Sequence, residues 1–182
     1  TTGSALTILF DNENIRSSDY SKFTTHPRPS HADLVARVKY KGYNDPRGGG
    51  HFSGRLTLGL VAEGVVATKM LQGVVFSTSI VKKAGSTNTK EFDSIIKKAQ
   101  ENGDSVGGIV ECVAEGVRAG LGGPFFDSVE SVASHLIFSV PGVKGVEFGA
   151  GFGVANLFGS LNNDRITDSR GTTSSNNDGG IN

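Results

Sequence analysis

The residues best suited to chemistry lie between His26 and Arg55. Three of the chain's four histidines gather there with Arg28, Arg37, Arg47 and Arg55. Within this stretch, Arg47-Gly-Gly-Gly-His-Phe-Ser53 sets three successive glycines between polar side chains. Glycines let backbone N–H groups come close to a ligand. The loop leads into an apolar segment that reads as a helix, and the free N–H groups and dipole of a helix start attract anions. Arg47 and Arg55 flank the bend, and a guanidinium pairs with phosphate or carboxylate through parallel donors. No Gly-Lys-Ser/Thr follows, so this is not a Walker A loop. The expectation is an oxyanion cradle; the bland alternative is a flexible turn before a core helix.

His31 is the candidate proton carrier. It stands in the first turn of an expected helix, with Arg28 three residues before it. A helix dipole there disfavours imidazolium, and neutral imidazole exchanges protons near neutral pH. An idle surface histidine is the alternative. His51 is a candidate anion donor inside the loop, whereas His26 and His135 read as ordinary residues. No histidine pairs with Cys or carboxylates at metal-ligand spacing, so no metal is expected.

These residues need elements to hold them. Ala5–Asp11 reads as a strand. His31–Tyr40 reads as a helix, with Ser30 as N-cap and Asp33 completing a near capping box. Residues 54–71 are helix-like and apolar on nearly every side, which predicts burial on most faces. Strands are expected at Val74–Ile80, Gly107–Ala114 and Gly145–Phe148, and helices at Asn88–Glu101 and Phe125–Ser139. Gly149-Ala-Gly-Phe-Gly153 mimics a dinucleotide fingerprint but has G-x-G-x-G spacing and no long βαβ unit around it, so a tight turn is expected instead. Strands and helices mix without regular alternation, which predicts an α+β fold. The division read from composition is a core domain, 1–162, and a polar, mobile loop or tail, 163–182.

Composition narrows the function. The chain has 182 residues, with 18 Lys+Arg against 18 Asp+Glu. No basic excess favours nucleic acid or an anionic membrane. Glycine, at 26 residues, is about twice its usual share of roughly 7% but follows no strict period. No apolar run of about 18 residues occurs, so no membrane-spanning helix is expected. The start is not basic then apolar, so no signal peptide is expected. Cys112 stands alone, which predicts a small buried thiol in a reducing, cytoplasmic setting.

Several longer stretches together resemble the chorismate synthase family. Asn14-Ile-Arg-Ser-Ser-Asp-Tyr20 is similar to its N-x-x-x-R-S-x-D-Y stretch, and Arg28-Pro-Ser-His-Ala-Asp33 to its R-P-G-H-A-D. Lys39-Tyr40 with Arg47-Gly-Gly-Gly50 through Arg55 resembles its K-Y-G and R-G-G-G-R-S-S-A-R. Gly103–Gly108, Ser139–Glu147 and Asn176–Ile181 follow in the same order. Ser30 stands where the family has Gly, His51-Phe52 where it has Arg-Ser, and Asp178 where it has Ala. The family's G-E-S-H-G, R-R-R-P-G and K-P-T-S-S-I stretches do not occur in this sequence. With Thr as its first residue, the chain is expected to be an internal core piece of a longer protein.

The resemblance implies a β-α-β sandwich core and a shikimate-pathway lyase. Such enzymes convert 5-enolpyruvylshikimate 3-phosphate to chorismate and phosphate by 1,4-elimination, using reduced FMN, as homotetramers. It implies that His31 is catalytic, that Arg28, Gly54 and Arg55 bind substrate, and that His51, Phe52, Ser53, Asn177 and Asp178 contact the flavin. On this reading the chain alone is weakly active or inactive. The alternative is a non-catalytic, self-associating core that binds flavin or phosphate weakly.

Overall fold

The computed structural model describes residues 2–14 and 16–181. Ile15 of the Asn14–Tyr20 stretch and Asn182 of the tail lie outside the described residues. The elements run in the order α1 (Asp33–Lys39), α2 (Thr57–Met70), β1 (Val75–Lys83), α3 (Phe92–Glu101), β2 (Gly108–Glu115), α4 (Val129–Ile137) and α5 (Gly159–Asn162), with short 3-10 turns between them. They divide into two units: Thr1–Glu63 with Leu121–Asn182, and Gly64–Gly120.

In the second unit, β1 and β2 form an antiparallel pair from Val75 opposite Glu115 to Lys83 opposite Gly108. A register shift between Ile80 and Lys82 leaves Val81 as a bulge. Asn88 caps the 3-10 turn before α3 by accepting from the Lys90 N–H at 3.2 Å. Phe92, first residue of α3, is buried, with the Lys83 ammonium 5.2 Å from its ring centroid. Cys112, expected to be buried, is exposed. The physical reason is that a two-stranded ribbon covers neither of its own faces, and every residue of β2 is exposed.

The first unit carries the chemistry. Its expected α1 is shorter than the sequence suggests and starts at Asp33, with Ala32 as an N-cap that makes no side-chain bond. Ser30 is not the cap, because its φ of 58° is left-handed. That conformation suits glycine and costs other residues energy, which accounts for Gly at this position in the resembled motif. Asp33 cannot complete a capping box, since its carboxylate is taken by Arg28. The expected Phe125–Ser139 helix breaks at Ser128, whose backbone is extended and whose Oγ caps α4 by accepting from the Ser131 N–H. Ala5–Asp11 and Gly145–Phe148 form no ladder among the described residues. A strand exists only through a neighbouring strand that pairs its N–H and C=O groups, and among the described residues neither segment has one.

The largely apolar α2 contains no buried residue, contrary to the expectation. The same holds more widely. Among the described residues, only Ala36 and Phe92 are buried hydrophobic residues. Leu56, Leu58, Val61, Val65 and Met70 are all exposed.

Candidate functional site

Arg28 begins the site. Its guanidinium lies 4.4 Å from the Phe23 ring centroid and 5.6 Å from that of Tyr20. These rings come from one 3-10 turn, Ser17–Thr24, and aromatic faces attract cations. Asp33 grips the same residue three times. It accepts from Arg28 Nε and Nη2, both at 2.9 Å, and from the Arg28 backbone N–H at 3.0 Å. Those hydrogen bonds hold the Asp33 carboxyl down to about 2 and raise the Arg28 guanidinium further. Arg28 is therefore a fixed, neutralised cation rather than a free one.

The pair makes stability depend on acid. A lowered carboxyl favours the folded state above its ordinary value of 3.8, and that contribution is lost as pH falls to about 2. Asp33→Asn is expected to lower the unfolding midpoint at neutral pH. It should also flatten, without abolishing, the loss of stability between 3.8 and about 2, because Asp45 is lowered to about 2 by Arg47 and titrates there as well. Thermal unfolding followed across that window checks this; an unchanged slope would remove the Arg28–Asp33 pair from the account.

The glycine bend forms the opposite wall. Gly48, Gly49 and Gly50 all have positive φ, at 62°, 82° and 52°. Arg55 braces the bend from inside, donating from Nη2 to the Gly48 carbonyl at 2.7 Å and from Nε to Ser53 Oγ at 3.1 Å. Ser53 Oγ also accepts from the Arg55 N–H and so caps the 3-10 turn Gly54–Leu56 that runs into α2. Arg47 folds back on Asp45, 2.7 Å away. A cleft of about 390 Å³ lies between these walls. It is lined by Arg28, His31, Asp33 and Arg37 on one side and by Asp45, Gly48, Gly49, Phe52, Ser53 and Gly54 on the other.

The partners decide where the surplus charge sits. Arg28 and Arg47 are matched by carboxylates. Arg37 donates to the Thr24 carbonyl at 2.6 Å, and Arg55 also bonds to a carbonyl. A carbonyl accepts a hydrogen bond without cancelling a full charge, so Arg37 and Arg55 give this region its net positive character. Sequence reasoning placed Arg37 in the basic stretch but gave it no role in the site. The signal was its spacing four residues after Asp33, which puts both on one helix face.

His31 is exposed, with Nδ1 3.0 Å from the Pro29 carbonyl oxygen. That oxygen only accepts, so Nδ1 carries the proton and Nε2 is the free basic atom of the neutral ring. The structure thus brings Arg28, His31, Phe52, Ser53 and Gly54 to one cleft, with Arg55 as its brace and His51 in the same loop. Asn177 and Asp178 are not among its lining residues. They form a separate turn against Gly149 and α5.

Comparison with known proteins places the chain in a family. The family model described as chorismate synthase matches residues 1–182. The chorismate synthase of Chitinophaga pinensis is 53% identical over 182 residues, which cover 100% of this chain and 54% of that protein. That of Pyrococcus abyssi is 42% identical over 206 residues, covering 100% of this chain and 58% of that protein. A solved structure, described as a crystal structure of chorismate synthase, aligns with a TM-score of 0.73 at 27% identity, over 83% of this chain and 57% of that one. The chain spans little more than half the length of these relatives, and its fold is the α+β type expected. It belongs to the chorismate synthase family.

Proposed function

We propose that the whole protein is the shikimate-pathway lyase that converts 5-enolpyruvylshikimate 3-phosphate to chorismate and phosphate, with reduced FMN. The observation that carries this reading is the cleft, where a cationic glycine bend faces a histidine whose basic nitrogen is free. The donor set suits phosphorylated, carboxylated ligands. A Cβ at Gly48 would run into the Arg55 guanidinium, and one at Gly50 would lie 2.8 Å from the Asp45 carbonyl. Glycine at these positions therefore lets Arg55 and the Asp45 carbonyl pack directly against the bend.

In this reading Arg28, Gly54 and Arg55 hold the substrate's anionic groups, and Arg37 adds charge beside them. Positive charge near the departing phosphate stabilises the charge that builds on its oxygens. His31 Nε2 holds or moves the proton that the elimination requires. His51, Phe52, Ser53, Asn177 and Asp178 would hold the flavin, which supplies electron density as phosphate leaves. The whole protein is a cytoplasmic homotetramer, in which 1–162 serves as core and 163–182 as a polar segment.

An anaerobic assay with reduced FMN and substrate tests the proposal. The whole protein should release chorismate and phosphate in equal amounts, and the 182-residue chain should be weakly active or inactive. No product from the whole protein would overturn the reading. The open apolar surface favours a second reading for the isolated chain, a self-associating core with weak flavin or phosphate affinity. Concentration-dependent mass without turnover would support it.

A further inference from the structure

The turn at Asn177–Asp178 is held chiefly by Asp164, which no motif drew attention to. The Asp164 carboxylate accepts from the Asn177 N–H at 2.8 Å, the Asp178 N–H at 2.9 Å and the Ser175 hydroxyl at 2.7 Å. Two consecutive backbone N–H groups thus converge on one side chain, the geometry with which chains elsewhere bind anions. From the other side the Ala150 N–H donates to the Asn177 carbonyl at 2.6 Å. Gly149, at φ 56°, is packed so tightly that a Cβ would lie 2.8 Å from Asp178 Cα. The side chains are anchored as well. Asn177 Nδ2 donates to the Asn162 carbonyl at 3.0 Å, and Asn162 Nδ2 donates to Asp178 Oδ1 at 3.1 Å.

We propose that Asp164 is a positioning residue for the flavin. It fixes the Asn177–Asp178 backbone against Gly149, so that the turn meets the cofactor in one preset conformation. This rests on the flavin reading given above. A flexible turn would have to be ordered at the moment of binding, and fixing it beforehand removes that cost. Asp164 touches neither flavin nor substrate in this scheme and acts only through the turn. Its carboxyl is lowered by the same bonds, chiefly from the Asp178 N–H, so it remains the charged acceptor that two N–H donors require. Asp178 stands where the resembled motif has Ala, and Asn162 ties the additional carboxylate back into the turn.

The test uses the whole protein with FMN as probe, reading the FMN dissociation constant, amide exchange at Asn177 and Asp178, and kcat against KM for substrate. Asp164→Asn keeps the side chain's size but removes an acceptor and its charge. It should weaken FMN binding about tenfold or more and speed exchange of both amides, while the substrate KM at saturating FMN stays within about twofold. Gly149→Ala should give the same pattern from the opposite side of the turn, and it keeps the question open to measurement if Asp164→Asn fails to fold. Unchanged exchange in both variants would overturn the clamp. Faster exchange with unchanged FMN affinity would overturn the positioning role. If the unmodified protein binds no FMN, the flavin reading falls and the positioning role falls with it; a turn that still loosens in the variants would locate the failure in the ligand rather than in the clamp.

Discussion

Replacing His31 by Ala in the whole protein is expected to lower kcat by about 10²–10⁴-fold, the range for losing a general acid or base, with substrate KM within about twofold. The asymmetry follows from the division of labour in the cleft. Affinity for a phosphorylated, carboxylated substrate comes from guanidinium groups, and none of them depends on His31 for its position. Arg28 is set by Asp33 and the Tyr20 and Phe23 rings, Arg37 by the Thr24 carbonyl, and Arg55 by Gly48 and Ser53. His31 contributes a different thing, one free nitrogen. Its Nδ1 is committed to the Pro29 carbonyl, so Nε2 alone can exchange a proton in the neutral ring. Steady-state kinetics with reduced FMN checks this. A kcat within about threefold of the unmodified protein would take His31 out of the chemistry.

The residues that form the cleft were legible from the sequence because they are local. Arg28, His31 and the glycine bend fall within 30 residues, and turn chemistry acts over a few positions. Their bonding was less legible. Asp33 looks like a helix cap three residues after Ser30, yet it serves Arg28. A bidentate ion pair over aromatic rings competes for the same carboxylate, and nothing in the local pattern reveals that competition. Ser30 likewise reads as a cap, while its left-handed backbone is set by the turn that brings Arg28 to Asp33. The burial expected for α2 and Cys112 failed for a longer-range reason. Apolar patterning marks faces that need cover, and it does not say which part of a chain supplies it. The Asn177–Asp178 turn lies between these cases. Its resemblance was legible, but the Asp164 clamp joins positions 13 and 14 residues apart through backbone N–H groups, which carry no sequence signature.

Gly50→Ala is expected to disable anion binding in the cleft while leaving the helices intact. Gly50 has φ 52° and ψ −134°, a region open essentially to glycine alone, and holding another residue there costs about 1–3 kcal/mol. The position is also closed sterically, since the new Cβ would lie 2.8 Å from the Asp45 carbonyl oxygen, a backbone atom that cannot swing aside. The bend must therefore open, and the shift would carry Asp45 with it. Asp45 anchors Arg47 at 2.7 Å, and the same bend presents the Gly48 carbonyl that fixes Arg55. One methyl group thus disturbs two cations and the backbone between them. Affinity for inorganic phosphate and for the phosphorylated substrate should each fall about tenfold or more, with far-ultraviolet circular dichroism unchanged. Gly59→Ala provides the contrast. A Cβ there meets nothing within 4 Å, and Ala is the better residue inside α2, so phosphate affinity should hold and stability should rise slightly. Equal losses in the two variants would mean that glycine at position 50 serves general stability, and the cradle would lose its structural basis.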